Sequence, residues 1–135
     1  MSESKPITTR WLMDKAAQVA YLIRIPGGRF DRGQLFRLVE VLEATTGDRE
    51  ALLCTALYAL RQAKRREIPP RVAEALRDVL LAIIEAGGTK SDAREFLGYL
   101  RWFFDATERV RLPRASSLDE VNAEWLLKHI GQKVI

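Results

Sequence analysis

The residues best able to do chemistry in this chain fall in one stretch, Arg61-Gln62-Ala63-Lys64-Arg65-Arg66-Glu67-Ile68-Pro69-Pro70-Arg71. Five cations and one carboxylate give it a net charge of +4, equal to that of the whole 135-residue protein. The remainder of the chain is balanced, so the positive field is concentrated here. Arginine supplies four of the five cations, and its planar fork bonds two phosphate oxygens at once. The stretch ends a helical pattern, and cations are favourable in a last turn simply because they face the negative end of the helix dipole. The excess over what a dipole requires favours anion binding by Arg61, Lys64, Arg65, Arg66 and Arg71.

A second basic group, Arg109, Arg111 and Arg114, follows a late helix. Asp105 and Glu108 offset it, and Asp105 stands four residues before Arg109, so a salt-bridged surface and linker is the favoured reading. Arg94 and Arg101 are seven residues apart on one helix face and either extend the basic surface or pair within their own helix. The loop Pro26-Gly27-Gly28-Arg29-Phe30-Asp31-Arg32-Gly33 carries two arginines and three glycines. It matches no phosphate-loop or dinucleotide fingerprint, since no strand precedes it and no Gly-Lys-Ser/Thr follows. It reads as a mobile connector, with nucleic-acid contact by Arg29 or Arg32 the lesser alternative.

No catalytic constellation emerges. Cys54 is the one cysteine and His129 the one histidine, which removes disulfide frameworks, cysteine zinc sites and most histidine chemistry. Cys54 reads as a small packed side chain beside Tyr58, and His129 as a helix-terminal residue. The carboxylates fall on exposed helix faces or caps. The expectation is a protein that is not an enzyme, with no metal, no cofactor and no small-molecule substrate. No apolar run approaches the ~18–20 residues a bilayer requires, and no signal-peptide pattern opens the chain, so a cytoplasmic protein without membrane contact is expected.

These residues must be positioned by helices. Hydrophobic residues make up 47% and charged residues 30%, ordinary for one globular domain, and no segment has the period-two alternation of a strand. Six helical segments can be placed. The first covers about Thr9–Ile25, capped by Thr8 or Thr9 and stopped by Pro26-Gly27-Gly28. The second covers about Arg32–Thr45, with Asp31 and Gln34 as a capping pair. The third covers about Arg49–Arg66, capped by Asp48, with Leu53, Ala56, Leu57 and Leu60 on one face and Cys54, Tyr58, Arg61 and Arg65 on an adjacent one. The fourth runs from Pro70 to a C-terminal Gly87, with Val72, Ala75, Leu76, Val79, Leu80 and Ile83 as its stripe.

The fifth segment covers about Asp92–Arg111, capped by Ser91, and points Phe96, Leu97, Leu100, Phe104 and Thr107 one way. Tyr99, Trp102 and Ala106 form a second strip. That is more apolar surface than an outer helix needs. The pattern favours a central helix; the alternative is that the Tyr99–Trp102 strip packs on another chain. The sixth segment covers about Leu118–Ile130, with Ser117 and Glu120 as a capping box. Val121, Trp125 and Leu126 could dock it, although the exposed linker before it reads as the tether of an appendage. The fold expected is all-α: a single-domain bundle of about five helices plus a C-terminal helix. Residues 1–7 form a flexible N-terminus, 8–112 the core, and 113–135 the linker and last helix.

Over about Ile7–Leu112 the chain resembles the small helical subunits of type III CRISPR–Cas effector complexes, the Csm type more than the Cmr type. Ile7-Thr8-Thr9-Arg10-Trp11-Leu12 resembles their threonine-capped first helix. Leu57-Tyr58-Ala59-Leu60-Arg61-Gln62-Ala63-Lys64-Arg65 resembles a Tyr-then-basic helix. Phe96-Leu97-Gly98-Tyr99-Leu100-Arg101-Trp102-Phe103-Phe104-Asp105-Ala106 resembles an aromatic helix with an acidic-Ala pair near its end. Where that family continues into an Ala-Tyr-His-Lys-like ending, this chain has Thr107-Glu108-Arg109-Val110-Arg111. The resemblance implies a non-catalytic subunit of an RNA-guided ribonucleoprotein. Its copies would stack along the backbone subunits and line the channel that holds the crRNA–target duplex, without reading sequence. Arg61, Lys64 and Arg65 match the family's basic stretch; Arg66 and Arg71 join them on charge alone. Tyr99 and Trp102 would be the subunit contact, since aromatic residues anchor interfaces. Two other readings compete: a helical DNA-binding regulator, and a protein–protein adaptor with no nucleic-acid role.

Overall fold

The structure, a computed structural model, describes residues 7–130. It is all-α: α1 (Thr9–Arg24), α2 (Arg32–Ala44), α3 (Asp48–Lys64), α4 (Pro70–Glu85), α5 (Lys90–Ala106) and α6 (Ala123–Ile130), with a 3-10 turn at Leu118–Glu120 before α6. The expected flexibility of residues 1–7 concerns, apart from Ile7, positions outside the described residues; Ile7 itself packs partly buried on the core.

Local chemistry sets the boundaries. Thr8 caps α1 by accepting from Trp11 N at 3.0 Å, and Asp31 caps α2 by accepting from Gln34 N at 3.0 Å. Gly47, at φ +88°, precedes α3, and Asp48 instead accepts from Lys90 N across the fold. Thr89 rather than Ser91 caps α5, in a reciprocal box with Asp92. The last helix starts at Ala123, not Leu118: Asn122 caps it by accepting from Trp125 N, and Glu120 turns back to accept from Ser116 N and Oγ. α4 ends in the left-handed turn that glycine permits. Gly87 has φ +74°, and Gly87 N and Gly88 N donate to Ile84 O and Ile83 O.

Connections of a few residues make α1 to α5 run alternately up and down. α1 packs chiefly on α5 and also on α4 and α6, while α3 packs on α4 and α2. Seven buried residues, including Leu12, Ala16, Ala17 and Ala20, make α1 the core helix. α5 contacts each of α1 to α4, and it buries Phe96, Leu97, Leu100 and Phe104 as its pattern requires. Its second strip is not buried: Trp102 is 69% exposed and lies edge-on to the half-buried Tyr99 at 5.9 Å.

The inner face of α3 and the docking of α6 also differ from what their sequence patterns suggest. α3 buries Ala51, Leu52, Thr55, Ala56, Ala59 and Gln62, leaving Leu53 and Leu57 43% and 68% exposed and Cys54 exposed. Small side chains on the true inner face let α3 approach α4, and Gln62 donates to Gln34 Oε1 at 3.2 Å to satisfy a buried amide pair with α2. α6 is not an appendage either. Ala123 and Leu126 belong to the main core, Ala123 N donates to Asp14, Arg10 bridges Asp14 and Glu124, and Trp125 meets Tyr21 edge-on at 5.7 Å.

A basic bundle end as candidate nucleic-acid interface

Because the helices alternate, the C-termini of α1, α3 and α5 gather at one end of the bundle with the N-termini of α2 and α4. Cross-links confirm the gathering. Arg24, at the end of α1, donates to Thr107 Oγ1 and Phe104 O at the end of α5 (3.0 and 2.6 Å). Arg32, at the start of α2, pairs with Asp105 at 2.6 Å. Gly28, at φ +90°, comes so close to Pro69 that a β-carbon there would stand 2.8 Å from its ring.

Residues 24–33, 61–71 and 105–114 thus meet. Between them they hold eleven lysines and arginines against four carboxylates, a net of +7, so the rest of the chain carries −3. The opposite end gathers carboxylates, with Glu43, Asp48 and Asp92 all engaged there as acceptors.

Within this end the cations divide by what they touch. Arg61, Lys64, Arg65 and Arg66 are exposed on the last turn of α3, and no carboxylate pairs with them among the described residues. The carbonyls of that turn are closed by backbone groups instead: Arg66 N donates to Ala63 O and Glu67 N to Gln62 O. Arg66 occupies the left-handed position at φ +63°, where glycine is the usual occupant. Ile68, fully buried, anchors the following loop. Arg29, exposed, follows Gly28 in the loop that rests on Pro69. The Pro26–Gly33 loop is therefore not a free connector, since Phe30 also meets Phe104 edge-on at 6.0 Å.

Arg71 leaves the group. Its Nε and Nη2 donate to Leu22 O and Ile25 O at 2.9 and 2.6 Å, closing the carbonyl end of α1. Lys90 does the same for α2 at the far end, donating to Glu43 O and Thr45 O. Arg24 closes α5, stacks on the Phe104 ring at 4.5 Å, and burial pushes its guanidinium below its ordinary value against the opposing pull of Glu108 and Asp105. The pairing expected between Asp105 and Arg109 does not form. Helix α5 stops at Ala106, Arg109 turns left-handed at φ +62°, and Asp105 goes to Arg32. Arg94 pairs with Glu43 of α2, holding that carboxyl below its usual range through a hydrogen bond.

Trp102 is exposed on α5, beside the half-buried Tyr99. The Tyr99 hydroxyl donates to Glu95 at 2.9 Å, and that bond raises the phenol's pKa. His129 sits in the last turn of α6 with Nδ1 2.7 Å from Trp125 O. The described residues contain no group of three or more His, Cys, Asp or Glu side chains able to hold a metal ion, and no described helix is long and apolar enough to cross a membrane. Arg29 is a cation that the packing of Gly28 on Pro69 brings to this end of the bundle. The sequence signal for this placement is Gly28, whose lack of a β-carbon permits the close approach to Pro69. No protein-family model, curated protein or solved structure matches this chain.

Proposed function

We propose that this chain is a non-catalytic, RNA-associated assembly subunit of an RNA-guided effector of the type III CRISPR–Cas kind, acting in the cytoplasm. In this reading Arg61, Lys64, Arg65 and Arg66, with Arg29 on the loop that rests on Pro69, bind the phosphate backbone of a guide–target duplex. The observation that carries the reading is the charge segregation: a +7 end on a +4 protein, with an exposed turn of four cations that no carboxylate pairs with among the described residues. Such a surface exchanges condensed counterions for fixed arginines and positions an RNA without reading its sequence. Nothing in it presents a helix for major-groove readout, because the α3 cations lie at a helix C-terminus rather than along a recognition face. Trp102, largely exposed on α5, and the half-buried Tyr99 beside it serve the contact with backbone subunits or with further copies of the chain.

The test is equilibrium binding of the full chain to an RNA duplex, a single-stranded RNA and unrelated DNA duplexes. The reading predicts salt-sensitive RNA binding that is indifferent to sequence and lost in Arg61→Ala/Lys64→Ala/Arg65→Ala. A large preference among DNA sequences would favour a regulator. Absence of any nucleic-acid binding at low salt would favour an adaptor.

A further inference from the structure

A second feature of the basic end lies apart from the α3 turn. After α5 the chain crosses the end of α1 as an extended strap, Val110–Arg114. The strap is tied down where Val110 N donates to Thr107 O and where Ala115 N donates to the Tyr21 hydroxyl at 2.9 Å. Between strap and helix end is a cleft of about 500 Å³. Its walls are mostly apolar, from Ile25, Pro26, Val110, Leu112 and Pro113, and its polar groups are Tyr21, Arg24, Arg111 and Arg114. Among the described residues no carboxylate lines it.

The arginines are placed differently. Arg24 is half-buried, oriented by its bonds from Nε to Thr107 and from Nη2 to Phe104 O and by the Phe104 ring. Its Nη1 is left without a partner among the described residues. The Tyr21 oxygen accepts from Ala115 N, and its own proton has no described acceptor. Arg111 and Arg114 are exposed at the rim and form no ion pair among the described residues. A fixed inner donor pair, two cations at the mouth and apolar walls suit a flat apolar body carrying a phosphate. The volume lies within the ~300–1,000 Å³ of small-molecule sites, larger than a lone phosphate requires.

We propose that this cleft binds a nucleotide, its base against the apolar walls and its phosphate on Arg24, Arg111 and Arg114. The nucleotide is either a free monophosphate or one residue of an RNA strand. This site is separate from the α3 turn and stands whether or not that turn binds RNA. The experiment is calorimetric titration of the full chain with AMP, UMP, adenosine, inorganic phosphate and a short single-stranded RNA. It is repeated on Arg111→Ala/Arg114→Ala, which alters only exposed side chains, and on Arg61→Ala/Lys64→Ala/Arg65→Ala. A nucleotide probe should bind more tightly than adenosine or phosphate, weaken at least ~tenfold in the Arg111/Arg114 variant, as loss of charge-assisted bonds implies, and be unaffected for AMP and UMP by the α3 variant. Loss seen with AMP or UMP assigns a free nucleotide; loss confined to the RNA assigns a strand residue. A shift of the Arg24 Nε–H resonance on addition of the bound probe places the phosphate at the inner arginine. Phosphate binding as tightly as AMP, equal affinity in the Arg111/Arg114 variant, or no binding of AMP, UMP and RNA would overturn the assignment.

Discussion

Arg66→Gly should make this protein more stable and a weaker RNA binder at once. Arg66 is left-handed at φ +63°, a conformation that costs an L-residue roughly 1–2 kcal/mol and glycine nothing. The two backbone bonds that close α3, from Arg66 N and Glu67 N, need no side chain and survive the change. Against the relief stands the greater freedom of glycine in the unfolded chain, about 0.4–1 kcal/mol. The net expectation is a stabilisation of roughly 0.5–1 kcal/mol, or about 2–5 °C in Tm for a domain of this size. Losing one phosphate contact should lower the salt slope of RNA binding by roughly 0.7–0.9. Arg66→Ala is the companion variant, because it removes the same charge while keeping the left-handed penalty. It should share the binding loss and gain no stability. Urea melts and salt-dependent anisotropy on the three proteins suffice. A destabilised Arg66→Gly would refute the strain argument, and a binding slope unchanged in both variants would refute the placement of Arg66 on the RNA surface.

Arg71→Gln should behave oppositely, costing roughly 1.5–3 kcal/mol by opening the carbonyl end of α1 while leaving the salt slope of RNA binding unchanged; a lowered slope with intact stability would return Arg71 to the binding set. Leu57→Gln should change stability by less than about 0.5 kcal/mol because the side chain is largely exposed, whereas Phe96→Ala should cost about 3–5 kcal/mol; comparable urea midpoints for the two would mean that the inner face of α3 is misassigned. On the acid side, Glu43 is held below its ordinary 4.5 by Arg94, so its contribution is complete above that pH and fades as pH falls through the lower folded value. Arg94→Gln should therefore flatten the stability profile below pH 4.5, and an identical profile would contradict the pairing.

The helices were legible because their apolar spacing was unambiguous and their stops were proline and glycine: Val72 to Ile83 on α4 and Phe96 to Phe104 on α5 lie where the spacing puts them. α3 was not, since leucines at 52, 53, 57 and 60 surround much of the wheel. The choice between faces was made by alanines that admit α4 and by a buried glutamine whose partner, Gln34, lies on another helix. Caps failed where a neighbouring residue offered equal chemistry, as Thr89 did beside Ser91. The basic turn was visible in composition alone. What each cation touches was not, because Arg71 reaches carbonyls 46 and 49 residues away and Arg29 is brought in only by the packing of Gly28 on Pro69.

The most direct test of the account is the slope of log K against log salt for RNA-duplex binding by the wild type and by Arg61→Ala/Lys64→Ala/Arg65→Ala, with helical circular dichroism as the check on folding. Three lost phosphate contacts should lower the slope by roughly 2–3. Equal slopes in two equally helical proteins would contradict the claim that the last turn of α3 holds the nucleic acid.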